Sequence, residues 1–322
     1  MTPAPALMMA LSLATPFVTQ SSDIGPPPGR LVDIGGHKVH VLCSGEGAPT
    51  VVLEAGASAF AIDWSLVQPE IARRNRVCSY DRLGYGWSET GSPETPARVV
   101  ANLHAMLVAI GERGPFVLVG ASMGGIYARM YRLQYPDEVA AMVLVDPSHE
   151  DDLFTMFQGK GVTIGSLTAE EIRSTIPAGP AKLPRRSAQT GPPFDRLPPD
   201  LYRRRVALET QLIDSMPESV PHEIVLEVVE GQRAAFSTLQ KLGASQEHPR
   251  DDGPLIVLTR GVRLSPEFRE LHARLARSST NSRHTVVEGA GHEIHLFEPT
   301  VVILAIQDVI GALTNKTRLP LR

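Results

Sequence analysis

Short apolar runs recur along this chain, and most are followed by a stretch in which apolar positions return every three or four residues. The first pattern is that of a strand buried on both faces, the second that of an amphipathic helix. Leu31 to Ile34 and Lys38 to Cys43 predict a hairpin around Gly35-Gly36, and Thr50 to Glu54 predicts a short buried strand ending at Ala55-Gly56. A helix through Leu66, Val67 and Ile71 is followed by the strand Arg76 to Tyr80, the loop 81–88, and a helix carrying Val99, Leu103, Met106, Leu107 and Ile110. Phe116 to Val119 then runs into Gly120-Ala121-Ser122-Met123-Gly124-Gly125, with a helical pattern through Ile126, Tyr127, Met130 and Tyr131 behind it. Ala140 to Val145 ends at Asp146-Pro147, where the proline biases Asp146 toward extended geometry. Leu255 to Leu258 and His284 to Val287 complete the strands, each with a helix after it. Strands alternating with amphipathic helices predict an α/β fold: a mostly parallel, eight-stranded sheet flanked by helices.

The alternation stops for about a hundred residues between the strands ending near 145 and starting near 255, a length that marks an inserted unit rather than a connecting loop. Prolines and glycines crowd 177–199, and helical patterns occupy Tyr202 to Ile213 and Ile224 to Leu242. An excursion leaving from the carboxyl end of a strand sits above the ligand crevice of such a sheet. The expected organisation is a core of residues 29–147 and 251–315, with a helical cap over 148–250. Leu153, Phe154, Met156, Phe157, Phe236 and Leu239 are its apolar residues, as pocket lining or as cap core.

The amino terminus departs from this pattern. Ala6 to Val18 is nearly all apolar and is followed by polar residues and then Pro26-Pro27-Pro28-Gly29. The run suits a signal-peptide core or an N-terminal anchor and is short for a membrane span. No Lys or Arg precedes it, and no sharp cleavage site follows. Residues 1–28 are expected outside the fold, with the protein exported or membrane-anchored, otherwise cytoplasmic. The remaining composition is that of an ordinary globule, 43% hydrophobic and 20% charged over 322 residues. A net charge of −4 offers no clustered basic surface for nucleic acid. The run Arg203-Arg204-Arg205 reads as a solvated helix face. Cys43 and Cys78 fall in predicted strands as two small buried thiols. No Cys/His grouping has metal-ligand spacing, so neither a metal nor a cofactor is expected.

Candidate chemistry centres on Gly-x-Ser-x-Gly. A strand turning sharply into a helix lifts the Ser122 hydroxyl to the top of a sheet, and side chains at the flanking glycines would collide with strand and helix. A hydroxyl needs a base. His292 follows the last strand in Gly289-Ala290-Gly291-His292, a loop able to deliver an imidazole; His295, His149 and His104 are the competitors. For the acid that orients the base, Asp146 at a neighbouring strand end competes with Glu267, Glu150, Asp151 and Glu288. Glu267 follows Ser265-Pro266, which reads as a helix cap, so its carboxylate would complement the helix dipole instead. Two backbone N–H donors for an oxyanion are assigned to Met123, after the serine, and to Ala57, after the strand 50–54.

Taken together, Val51 to Gly56, the stretch from Val77 to Ser88, Gly120 to Gly125 and Gly289 to His292 resemble the α/β-hydrolase superfamily, in its haloalkane-dehalogenase-like and lipase-like branch. The resemblance spans roughly residues 30–313 outside the cap. It implies a serine hydrolase cleaving a carboxylic ester, with an apolar small-molecule substrate, no cofactor, and the membrane met only through the N-terminus. Dehalogenases and epoxide hydrolases of this branch carry Asp where this chain has Ser122, which disfavours their chemistry. The chain lacks an acid after the penultimate strand and so resembles members that place it one strand earlier, at Asp146. In the family's sheet order the strands of Cys43 and Cys78 are neighbours, which implies a cross-strand disulfide if the geometry and compartment allow one. Two other functions remain open: a carbon–carbon bond hydrolase using the same triad, and a non-catalytic receptor on the same scaffold.

Overall fold

Every residue of the strands Val51–Glu54, Val77–Tyr80 and Phe116–Ala121 is buried, as a sheet covered on both faces requires. The computed structural model describes residues 24–152, 154–155, 161–176, 178–182, 186–244 and 252–320. The main sheet comprises β1 (Arg30–Asp33), β2 (Lys38–Ser44), β3 (Val51–Glu54), β4 (Val77–Tyr80), β5 (Phe116–Ala121), β6 (Val139–Val145), β7 (Leu255–Arg260) and β8 (Ser282–Val287). Their spatial order is β1-β2-β4-β3-β5-β6-β7-β8. β1 and β2 form an antiparallel hairpin, β2 pairs antiparallel with β4, and all later pairs are parallel.

Alternation along the strands divides the core in two. Val51, Leu53, Val117, Val119, Val143 and Val145 face one layer, packing with Val302, Ala305, Ile306 and Val309 of the C-terminal helix Pro299–Asn315. Val52, Leu118, Met142 and Leu144 face the other, against Val100, Leu103, Met106 and Leu107 of α1 (Pro96–Ile110). α2 (Met123–Gln134) leaves directly from β5. The helix expected through Leu66 to Ile71 is instead two short turns, Ala61–Trp64 and Gln68–Ile71. Pro69 has no N–H to continue a preceding helix and sits in the first turn of a new one.

Cys43 and Cys78 are register partners on β2 and β4, and a disulfide joins them with their Cα atoms 4.1 Å apart. Between β6 and β7 the insertion carries α3 (Ala169–Thr175), α4 (Pro199–Ser215) and α5 (His222–Ala244). Two pairs of two-residue strands accompany these helices: Phe154–Thr155 with Gly161–Val162, and Ala181–Lys182 with Ser219–Val220. Leu153, Met156 and Phe157 lie outside the described residues.

Two expectations are corrected here. The folded region begins before residue 29: Ile24 is fully buried among Phe60, Ile62, Tyr85, Trp87, Leu208 and Leu212. Gly25 O accepts from Trp87 Nε1 at 3.0 Å and Pro26 O from Arg204 Nη1 at 3.0 Å, so core and insertion both hold this segment. Burial of one isoleucine and satisfaction of its neighbours' carbonyls fix a stretch expected to lie outside the fold. Residues 1–23, with the proposed signal or anchor, lie outside the described residues. Among the described residues no helix is long and apolar enough to cross a membrane.

The second correction concerns Arg203-Arg204-Arg205. Arg205 is buried, with Nε 3.0 Å from Asp63 and Nη1 2.7 Å from Glu209, and its guanidinium lies 3.5 Å from the Phe194 ring. It ties α4 to the core turn at Asp63. A buried cation with two carboxylates and an aromatic face has its desolvation offset, which a sequence run of like charges does not disclose.

Candidate active site

The strand–turn–helix at β5 holds Ser122 at φ 53°, ψ −124°, a conformation that non-glycine residues rarely adopt. Close backbone approach explains the flanking glycines. A Cβ on Gly120 would lie 2.4 Å from Gly124 O, and one on Gly124 would lie 2.4 Å from Glu54 O. Ser122 is anchored to the neighbouring strand end, its N–H donating to Val145 O at 3.1 Å and its carbonyl accepting from Ser148 N–H at 2.9 Å. These two bonds bracket Asp146. Met123 opens α2, and Gly56 lies against the serine, where an added Cβ would sit 3.1 Å from Ser122 Cβ. Ala57 follows, half-buried beside the cluster of Met123, Ile126, Tyr127, Ile164, Phe236 and Leu239.

Asp146 is fully buried and reaches His292: Oδ2 is 2.5 Å from Nδ1. The sequence expectation that Pro147 holds Asp146 extended fails, since φ is +42°. Three contacts from two residues over-determine this strained position: the His292 ring, the Arg260 N–H at 3.0 Å from Oδ1, and Arg260 Nη1 at 2.9 Å from Oδ2. Burial pulls the His292 pKa down, but the hydrogen bond and charge of Asp146 outweigh it and leave the imidazole above its ordinary value. Nδ1 engaged with a carboxylate leaves Nε2 as the exchangeable end.

Of the other acid candidates, Glu288 is exposed on the loop after β8, and the remaining three are engaged elsewhere. Glu267 is exposed in the first turn of the helix α6 (Pro266–Ala276), and hydrogen bonds to its own N–H and to Ser265 lower its pKa, the helix-capping role. Glu150 makes a two-pronged pair with Arg129, at 2.6 and 2.7 Å. Asp151 bonds Gln240 and Arg274. Of the histidines, His104 stacks on Tyr135; burial holds His149 down to about 4, and His295 packs on Trp64 with burial holding it down to about 3.

Two arginines near the site carry roles that sequence reasoning missed. Arg260 ends β7, with Nη1 3.2 Å from His292 Nδ1 and its guanidinium 4.7 Å from the Phe268 ring. Arg82 lies in a buried polar cluster under the β3 end with Glu54, Tyr80, Glu94 and Tyr127. The available signal was a carboxylate closing an apolar strand, Val51-Val52-Leu53-Glu54, since a buried carboxylate requires a partner. Among the described residues no group of three or more His, Cys, Asp or Glu is arranged to hold a metal ion.

A buried serine on a strained strand-to-helix turn, with an Asp–His pair at the next strand ends of a mostly parallel sheet, defines a hydrolase-type α/β architecture. The alpha/beta hydrolase family model matches residues 41–305, and the chain belongs to that family. Among curated relatives, the uncharacterized protein YqjL of Bacillus subtilis is 24% identical over 82% of this chain and 85% of its own length. The 2-hydroxy-6-oxo-6-(2'-aminophenyl)hexa-2,4-dienoic acid hydrolase of Metapseudomonas resinovorans is 31% identical over 38% of this chain, which thus spans 45% of that relative. Among solved structures, a thermophilic esterase from Thermogutta terrifontis matches at a TM-score of 0.58 and 22% identity, covering 88% of this chain and 97% of the esterase.

Proposed function

We propose that this hydrolase cleaves carboxylic esters by a Ser122–His292–Asp146 triad through an acyl-enzyme. One observation carries the reading: Asp146 Oδ2 meets His292 Nδ1 at 2.5 Å, while Asp146 itself sits between the two residues that bond the Ser122 backbone. His292 Nε2 takes the Ser122 proton as Oγ attacks the ester carbonyl, and Asp146 stabilises the imidazolium. The N–H groups of Met123 and Ala57 receive the oxyanion, the alcohol leaves with the proton from Nε2, and water activated by the same imidazole frees the acid. The insertion acts as the cap. Phe236, Leu239 and Ile164, packed with Met123, favour an apolar acyl group.

A second reading is favoured by the name of the Metapseudomonas relative: carbon–carbon bond hydrolysis of a dienoic acid substrate by the same triad. The match over 38% of this chain leaves it second. A fluorophosphonate probe and a series of p-nitrophenyl esters test the primary reading. Covalent labelling lost in Ser122→Ala, with ester turnover reduced by at least about 10³-fold in a folded variant, is the expected result. Turnover of a dienoic diketone substrate with inert esters would favour the second reading. Tight reversible ligand binding without labelling would identify a receptor.

A further inference from the structure

The buried cluster beneath the β3 end has a geometry aimed at the backbone beside Ser122. Glu54, Tyr80, Arg82, Glu94 and Tyr127 are each under a tenth exposed. The Tyr80 hydroxyl donates to Glu54 Oε2, Arg82 Nη1 to Glu54 Oε1 at 2.9 Å, and the Tyr127 hydroxyl to Glu94 Oε1 at 2.8 Å. Arg82 Nε lies 2.9 Å from Glu94 Oε1, and the guanidinium sits between the Tyr85 and Tyr127 rings, at 4.8 and 5.4 Å. The remaining donors leave the side-chain cluster altogether: Nη1 bonds Ala55 O at 2.8 Å and Nη2 bonds Gly56 O at 2.7 Å.

Two successive carbonyls are therefore gripped by one planar, rigid group. In a trans peptide the C=O and the following N–H point in opposite directions. Holding Gly56 O toward Arg82 turns the Ala57 N–H away from it, on the loop whose Gly56 lies against Ser122. We infer that Arg82 is the positioning residue of the oxyanion loop, fixing the Gly56–Ala57 peptide so that the Ala57 N–H faces the oxygen of an acyl group on Ser122; this rests on the ester-hydrolase reading. A salt bridge alone would need neither carbonyl. The carboxylates hold the guanidinium's other edge and limit its motion. Burial pushes the Glu54 carboxyl up to about 7, against the pull of Arg82 and the Tyr80 hydroxyl.

Arg82→Lys keeps the charge and loses the two-carbonyl grip. Expected are a kcat for p-nitrophenyl butyrate reduced about 10- to 100-fold with KM nearly unchanged, and a matching loss of affinity for an arylboronic acid, whose adduct oxygen occupies the oxyanion position. Hydrogen exchange at the Gly56 and Ala57 amides should quicken by at least about tenfold, a readout independent of turnover. Glu94→Gln, which loosens the guanidinium without removing it, should show the same pattern more weakly and decides the matter if Arg82→Lys does not fold. Unchanged kcat, boronate affinity and amide exchange in a folded variant would overturn the assignment, as would a loss confined to KM. Wild-type protein inert to esters and fluorophosphonate would instead sink the ester reading, and the exchange data would still judge Arg82.

Discussion

Asp146 and Glu267 show how far a carboxylate's address decides its partners. The first is fully buried and bonded to His292; the second is exposed at a helix start. Asp146→Asn should lower kcat by about 10²- to 10⁴-fold, because an amide cannot stabilise the imidazolium or fix its tautomer. Glu267→Gln should stay within about twofold, since it touches only its own helix cap; the reverse order in a p-nitrophenyl ester assay would reassign the acid. Arg260 adds a pH signature. Its charge opposes protonation of His292, so Arg260→Met should raise the His292 pKa further. A base must be neutral to accept the serine proton, and the acid limb of kcat/KM should therefore move to higher pH. An unmoved limb would show that Asp146 alone sets the titration. The Ser122 turn and the Asp146–His292 contact were legible because each residue follows a strand, in an order along the chain that a motif can report. Arg260 and Arg82 were not, because the groups that fix them lie on other segments: Asp146 for the first, and Glu54, Glu94 and the Ala55 and Gly56 carbonyls for the second. Beyond the hint of Glu54 closing an apolar strand, they meet only in the folded chain.

The same distinction separates the strands from the short helices. Buried runs such as Phe116–Ala121 declare themselves by unbroken apolarity, whereas Ala61–Trp64 and Gln68–Ile71 are separate turns, the second with a proline in its first positions that the periodicity alone passes over. The β2–β4 pairing lies between: apolar pattern placed both strands, but only their antiparallel register sets Cys43 opposite Cys78. That cross-link closes a loop across a sequence separation of 35 residues, for which the chain-entropy account gives about 3–4 kcal/mol at most. Cys43→Ala with Cys78→Ala should lower the urea midpoint accordingly, with a somewhat steeper transition because the uncrosslinked unfolded chain is more open. Ester turnover under native conditions should persist, because β1 and β2 close the sheet's far edge, away from β5, β6 and β7. A double variant with an unchanged midpoint would show that strand pairing alone carries this edge.

The molecule as a whole stores a pH dependence in its buried imidazoles. Burial holds His149 and His272 down to about 4 and His295 down to about 3, against 6.5 in an open chain. Each is neutral in the native state while the unfolded chain takes up a proton below pH 6.5. Stability must therefore fall as pH drops from 6.5 to about 4 for the first two, and on to about 3 for the third. Glu54 acts in the opposite sense: its native pKa of about 7 lies above the ordinary 4.5, so its burial costs stability as pH rises between those values. His295 is the cleanest test, packed on Trp64 with Nδ1 lacking a hydrogen-bond partner among the described residues. Phenylalanine there keeps a ring against the indole and has nothing to protonate. Between pH 6.5 and 4, His295→Phe should gain on the parent by about 1.4 kcal/mol per pH unit, read from urea unfolding at each pH. Above pH 7 the two should keep a constant difference. Parallel curves throughout the acid range would mean that the imidazole already carries its proton inside the fold, and the burial argument for it would fail.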